Sequence, residues 1–144
     1  MALVYFDASA LVKLIVDEPG TELAVDLWDA CDVALSSRLA YAEVCAALFA
    51  AVRNHDISAR DARRAYASWG QYWDAVRPVE LTRAVERHAG ELARHHALRG
   101  ADAVHLASAL AIGGEDLVVA VWDRRLHAGA AAERLLVAPA SLDA

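Results

Sequence analysis

Several features of disulfide-stapled, exported and membrane proteins are missing from this sequence. Its two cysteines, Cys31 and Cys45, form no cluster with metal-ligand spacing. No stretch approaches the roughly 20 apolar residues that a membrane-spanning helix needs. The apolar N-terminus is interrupted by Asp7 and Lys13, with no basic region before it, which differs from the pattern of a signal peptide. We therefore expect a cytoplasmic protein that does not associate with membranes.

Positive charge is also scarce. Fourteen lysines and arginines stand against 20 acidic residues, giving a formal net charge of −6, which argues against nucleic-acid binding through a broad basic surface. It does not exclude an enzyme that meets phosphates through divalent cations, because bound cations reverse the local field. Lys13 is the one lysine. We expect it on a solvated face of the first helix, with phosphate contact as the alternative.

Apolar residues, by contrast, are abundant. They make up 58% of the chain, and many are alanine, which favours helix and adds little core volume. The length suits a single domain over residues 1–144 with a core of its own. No repeat, low-complexity tract or linker divides the chain.

Strand and helix patterns alternate along the sequence. The predicted strands cover residues 3–6, 33–36, 76–81, 117–122 and 135–137, and Pro78 marks the third as an edge strand. The predicted helices cover about 10–16, 21–31, 38–53, 58–74, 82–97 and 101–112, with a short one from 124. This alternation predicts an α/β fold with a parallel sheet covered on both faces.

Four acidic residues fall at notable places in this pattern. Asp7 and Asp123 directly follow predicted strands, at the edge where open α/β sheets bind ligands. Asp102 begins a predicted helix. Helix capping explains each of these three when taken alone. It does not explain Glu43, the one charged residue within 39–52, whose unpaired burial costs on the order of several kcal/mol. Unless it reaches solvent at the rim, Glu43 needs a cation.

Converging carboxylates repel one another, and a divalent cation removes that repulsion. Oxygen ligands suit Mg²⁺ or Mn²⁺ rather than zinc. The sequence shows no evident Ser–His or Cys–His nucleophile beside them, so the set fits metal-assisted hydrolysis of a phosphodiester. The predicted catalytic and metal-binding residues are Asp7, Glu43, Asp102 and Asp123.

The segments around these acids resemble the four motifs of the PIN-domain nucleases, and among them the VapC-type toxins of bacterial toxin–antitoxin pairs. They read YFDASALVK at 5–13, RLAYAEV at 38–44, GADAVHLA at 100–107 and WDRRL at 122–126. Their order and spacing are jointly specific, and the resemblance spans essentially the whole chain.

The resemblance implies a PIN-like three-layer α/β/α fold with a mostly parallel sheet of about four to five strands. It implies an endoribonuclease whose four acids bind Mg²⁺ or Mn²⁺. It also implies a cognate antitoxin that covers the site, a homodimer, and DNA contact only through the antitoxin. Ser9, two residues after Asp7, becomes a group that holds a ligand or a metal-bound water. Where the family usually has Ser or Thr, this chain has Val121, so we expect Asp123 to be less well oriented.

Other polar residues near these motifs have more than one interpretation. Arg124 and Arg125 stand at a helix start, where the macrodipole disfavours cations, so they are possible substrate contacts, partners of Asp123 or plain surface charge. His105 and His127 share helical faces with the third and fourth acids, and a structural role competes with RNA contact for both.

An aromatic stripe lies on the predicted helix 58–74. Tyr66, Trp69 and Trp73 follow one another at helical spacing. Core packing explains such a stripe, and an exposed groove for the antitoxin or a second protomer is the alternative, with Trp69 and Trp73 as the candidate anchors.

Two other functions compete with the nuclease. An aspartyl-phosphate phosphohydrolase also places an Asp after its first strand, but it needs a second Asp two residues later, where this chain has Ser9. A non-catalytic interaction module is the other alternative. The presence of all four acids argues against it, whereas Val121 argues slightly for it.

Overall fold

A single five-stranded sheet forms the centre of the computed structural model, which describes residues 1–142. Neighbouring strands are parallel throughout, and their order is β3-β2-β1-β4-β5. β1 is therefore the central strand, and the edge position predicted from Pro78 for β3 is confirmed. The strands are β1 Leu3–Phe6, β2 Val33–Ser37, β3 Val76–Val79, β4 Leu117–Ala120 and β5 Leu136–Ala138.

Helices connect the strands and cover both faces of the sheet, so the three-layer arrangement is confirmed. They are α1 Ala8–Ile15, α2 Thr21–Ala30, α3 Ala40–Arg53, α4 Ala59–Ala75, α5 Arg83–His96, α6 Gly100–Ile112 and α7 Arg124–Ala132. Among the described residues, none of these helices is both long enough and apolar enough to cross a membrane.

Alternation along β1 shows how the two core layers arise. Val4 and Phe6 point into one apolar cluster with α1, α3 and α4, whereas Tyr5 points into the other, with α5, α6 and α7. A parallel strand buried on both faces reads as a continuous apolar run, which is why the predicted strands were recognisable in the sequence.

Two strands end two residues earlier than predicted: β3 ends at Val79 rather than at residue 81, and β4 ends at Ala120 rather than at residue 122. The backbone N–H of Trp122 donates to the hydroxyl of Ser9 at 3.0 Å instead of continuing the sheet. Asp123 then caps α7. The chain thus leaves the sheet two residues earlier than its apolar run indicates.

Lys13 contradicts the prediction of a solvated face. Its residue is only 8% exposed, with Nζ 2.9 Å from Oε1 of Glu18 and 5.1 Å from the ring centroid of Trp122. Gly20 closes the same corner at φ +96°, and a Cβ there would lie 2.7 Å from the indole nitrogen of Trp122. Lys13 is therefore a structural residue that joins α1 to the loops around it.

The aromatic stripe on α4 is not one continuous surface. Trp69 is fully buried, whereas Tyr66 is 43% exposed and Trp73 is half-buried. Tyr41 of α3 stacks on Trp69 with 5.9 Å between ring centroids. Core packing is confirmed for Trp69, so its assignment as an anchor for a partner is wrong.

Candidate active site

Asp7 lies at the carboxyl end of the central strand and caps α1. Its Oδ1 accepts from the backbone N–H of Ala10 at 3.0 Å and from the hydroxyl of Ser9 at 2.6 Å. The residue is 4% exposed. Burial raises the pKa of the Asp7 carboxyl above its ordinary value, although His105 and the two hydrogen bonds act in the opposite direction. A cation beside Asp7 would relieve this cost of holding its charge.

Asp123 approaches Asp7 because β4 lies directly beside β1. Its Oδ1 accepts from the backbone N–H of Leu126 at 3.0 Å, which makes Asp123 the cap of α7. Val121 packs fully buried in the apolar cluster below. The cap orients Asp123 without a hydroxyl at position 121, and the expected weakening of its role stays a prediction.

Asp102 is not a cap, contrary to the simpler of its two interpretations. It stands in the first turn of α6, where the helix dipole favours an anion, and Arg99 occupies the cap position without capping through its side chain. The guanidinium of Arg99 donates from Nε to Oδ2 of Asp102 at 3.3 Å and from Nη2 to Oδ2 of Asp123 at 3.2 Å. Arg99 thus bridges two of the four acids.

Glu43, in the first turn of α3, obtains the partner that its apolar surroundings require. Its Oε1 lies 2.6 Å from Nε2 of His105, and Nδ1 of His105 lies 2.7 Å from the Tyr5 hydroxyl. Burial, with a smaller effect from Asp7, raises the Tyr5 pKa well above its usual range. The phenol therefore stays protonated and donates to Nδ1, which leaves Nε2–H to donate to Glu43. His105 is a structural link in this arrangement.

These side chains surround one cavity of about 340 Å³ at the carboxyl edge of the sheet. Its lining includes all four predicted acids together with Ser9, Arg99 and His105. Arg124 and Arg125 line two other cavities, whereas Arg99 is the arginine in the lining of this one.

Sequence reasoning missed Arg99, although one signal was available: a basic residue stands three positions before Asp102, at the place where a helix prefers an acidic or hydroxyl cap.

His127 lies elsewhere, with Nε2 2.8 Å from the carbonyl oxygen of Pro139.

The possible ligands in this pocket suit a hard divalent cation, because all four acids offer carboxylate oxygens. Two of these acids, Asp7 and Asp102, are buried. As the side chains are placed in residues 1–142, however, no three of the Asp, Glu, His and Cys residues stand close enough to hold an ion. The reason is visible in the pairings: Arg99 engages Asp102 and Asp123, and His105 engages Glu43.

Comparisons with known proteins agree with this fold. The PIN domain family model matches residues 4–132. Over 143 residues, the chain is 66% identical to Ribonuclease VapC45 of Mycobacterium tuberculosis (strain CDC 1551 / Oshkosh), covering 99% of both chains. The figures are the same for Ribonuclease VapC49 of Mycobacterium tuberculosis (strain ATCC 25618 / H37Rv).

Solved structures share the fold at lower sequence identity. VapC20 of Mycobacterium tuberculosis, described as a Sarcin-Ricin loop cleaving toxin, has a TM-score of 0.64 and 23% identity, covering 87% of this chain and 93% of that one. A toxin–antitoxin complex from Klebsiella pneumoniae also has a TM-score of 0.64, with 17% identity over 99% of this chain and 100% of that one.

Proposed function

Because this chain belongs to the PIN-domain family, we propose that it is a metal-dependent endoribonuclease and the toxin of a toxin–antitoxin pair. The observation that carries this proposal is the cavity at the carboxyl edge of the sheet, where acids from four separate segments meet. The 66% identity to two ribonucleases over nearly the full chain supports RNA as the substrate.

Mg²⁺ or Mn²⁺ is the cofactor that this donor set favours, and Asp7, Glu43, Asp102 and Asp123 would hold it. When bound, such an ion polarises the phosphate and makes water a stronger nucleophile. Ser9 prepares Asp7 for this role: among the described contacts, both hydrogen bonds to the Asp7 carboxylate fall on Oδ1. Oδ2 is thus the oxygen left for a cation.

A chain of two buried side chains holds Glu43 in place. The Tyr5 hydroxyl fixes His105, and His105 fixes Oε1 of Glu43, which leaves Oε2 as the oxygen that a cation would use. The protein's part in the reaction is then to hold the carboxylates, whereas Arg99, which lines the same pocket, would contribute positive charge toward a phosphate.

The proposed protein partner is an antitoxin that projects a basic residue toward the acids. A guanidinium pairs well with carboxylates, and Arg99 already makes such contacts within the chain. A second cavity, of about 550 Å³, is lined by Tyr41 and Trp73. These two side chains replace Trp69 as candidate anchors, since Trp69 lies in the core.

A cleavage assay on purified protein tests the proposed activity. We expect RNA to be cut in Mg²⁺ or Mn²⁺ and to stay intact in EDTA, while a phosphomonoester is not hydrolysed under either condition. Full RNA cleavage by metal-free protein would contradict metal dependence. Turnover of the phosphomonoester without RNA cleavage would favour the phosphohydrolase, and inactivity on both would favour the interaction module.

A further inference from the structure

Arg99 stands where a cation is locally unfavourable. It occupies the cap position of α6, and positive charge near a helix N-terminus is disfavoured by the macrodipole. Its side chain gives the helix no capping hydrogen bond. Local helix chemistry therefore does not account for its placement, whereas its contacts with Asp102 and Asp123 do.

The contacts of Arg99 fall on an oxygen that a divalent cation would also need. Asp123 uses Oδ1 to cap α7 through the backbone N–H of Leu126. Oδ2 is its other oxygen, and Nη2 of Arg99 lies 3.2 Å from it. A metal ion and the guanidinium thus compete for the same atom of Asp123.

The guanidinium is held weakly enough to be exchanged. Its side chain is 64% exposed, and it makes one contact to each of two carboxylates, at 3.3 and 3.2 Å, rather than a paired contact to one. Ion pairs with an exposed partner contribute little net stability. The carboxylates are more enclosed, so Arg99 can leave toward solvent while they remain in the pocket.

We propose that Arg99 is an internal counter-cation of the acidic pocket: it bridges Asp102 and Asp123 while no divalent cation is bound, and it leaves them when one binds. This inference rests on the proposed metal site. It explains why the acids line one cavity and yet no three of them, as placed in the described residues, are close enough to hold an ion. It also makes Arg99 a determinant of metal affinity.

Titration calorimetry with Mn²⁺ alone, without RNA, tests this role. Arg99→Gln removes the competitor, so we expect its Mn²⁺ dissociation constant to fall by about tenfold relative to the unmodified protein. Arg99→Lys keeps the charge but loses the fork that spans two carboxylates, so we expect a smaller fall. Arg94→Gln is the matched control, because it removes the same charge from an exposed position on α5.

Thermal unfolding in EDTA gives a second readout. The melting temperature of Arg99→Gln should lie below that of Arg94→Gln, since the carboxylates then repel one another without a counter-charge. Added Mn²⁺ should raise the melting temperature of Arg99→Gln by more than it raises that of Arg94→Gln.

The results separate this inference from the proposed function. If the unmodified protein binds Mn²⁺ and Arg99→Gln binds it equally or more weakly, the role of Arg99 is overturned while the metal site stands. The same conclusion follows if Arg94→Gln gains as much affinity as Arg99→Gln. If the unmodified protein binds no Mn²⁺, the metal site and the role of Arg99 both fail.

Discussion

Asp7 combines a structural and a proposed chemical role in one carboxylate. It caps α1, and Asn caps a helix about as well as Asp. It is also buried with a raised pKa, mainly through loss of solvation. Replacing Asp7 with Asn keeps an acceptor for Ser9 and Ala10 but removes the charge, which separates the two roles.

We predict that Asp7→Asn stabilises the metal-free protein at neutral pH. Because the folded-state pKa of Asp7 is raised, its stabilising contribution is full below the ordinary Asp pKa of about 3.9 and is lost as pH rises through the folded value. Asn avoids this loss. Thermal unfolding in EDTA should show Asp7→Asn melting a few degrees higher at pH 7, a shift that about 1 kcal/mol produces in such a domain, with the difference vanishing near pH 3.

Asp102→Asn is the matched comparison for this prediction. Arg99 offsets the charge of Asp102, so its removal should leave the melting temperature unchanged or lower in EDTA. A lower melting temperature for Asp7→Asn at pH 7 would show that its charge does not strain the fold. An equal rise for both variants would show that Arg99 gives Asp102 no compensation.

Single residues were unevenly predictable from the sequence. The four acids could be found because two of them follow strands, Asp102 begins a helix, and Glu43 is the one charged residue in an apolar stretch. Arg99 carried one signal, its place at a helix cap, but its contact with Asp123 could not be predicted because Asp123 lies 24 residues further along the chain. The prediction for Lys13 failed for the same kind of reason: the periodicity of α1 does not show that Glu18 and Trp122 enclose it.

At the scale of secondary-structure elements, one buried chain of hydrogen bonds joins three of them. Tyr5 on β1 contacts His105 on α6, and His105 contacts Glu43 on α3. Because Tyr5 and His105 are fully or almost fully buried, removing one of them leaves a polar atom of the other without its partner. Such losses cost about 1–3 kcal/mol each.

A double-mutant cycle tests this link. Tyr5→Phe and His105→Leu should each lower the free energy of unfolding, and the double variant should lose at least about 0.5 kcal/mol less than the sum. His127→Leu is the control, because its partner is the carbonyl of Pro139. In the double variant with Tyr5→Phe, the two losses in the free energy of unfolding should add. Additivity in both cycles would mean that Tyr5 and His105 do not act together.

The two tryptophans of α4 should respond differently to replacement. Trp69→Ala creates a cavity in the core and should lower the free energy of unfolding by about 3–5 kcal/mol. Trp73→Ala should cost less, because Trp73 is half-buried, and it should weaken inhibition of RNA cleavage by the antitoxin. Chemical denaturation and an inhibition titration measure the two effects. A larger loss of stability for Trp73→Ala than for Trp69→Ala would reverse this assignment.

Element boundaries show what the apolar pattern can and cannot predict. The pattern located all five strands of the parallel sheet, of which β1, β2 and β4 are largely buried. It extended β4 through Trp122 because that segment stays apolar after the strand ends. After Ala120 the backbone N–H of Val121 still donates to the carbonyl of Ala138, whereas that of Trp122 donates to Ser9, a contact with a different motif that leaves no local trace in the sequence.

For the whole molecule, strand order is what assembles the pocket. β1 lies between β2 and β4, so the segments that follow β1, β2 and β4 meet at one edge, and α6 adds Asp102. The alternation of strands and helices predicts a parallel sheet, but it does not predict this order of the strands. The net charge of −6 is compatible with RNA as the substrate because cations, rather than a basic surface, would meet the phosphates.

The central claim is that four carboxylates from distant segments act as one metal-dependent site. The most direct measurement is the rate of RNA cleavage at saturating Mn²⁺ by Asp7→Asn, Glu43→Gln, Asp102→Asn and Asp123→Asn, each confirmed to be folded. Asp61→Asn, at an exposed acid in the first turn of α4, is the matched control. We predict that each pocket variant loses at least about 100-fold in rate and that the control retains full activity. Pocket variants that cleave RNA as fast as the control would contradict the account.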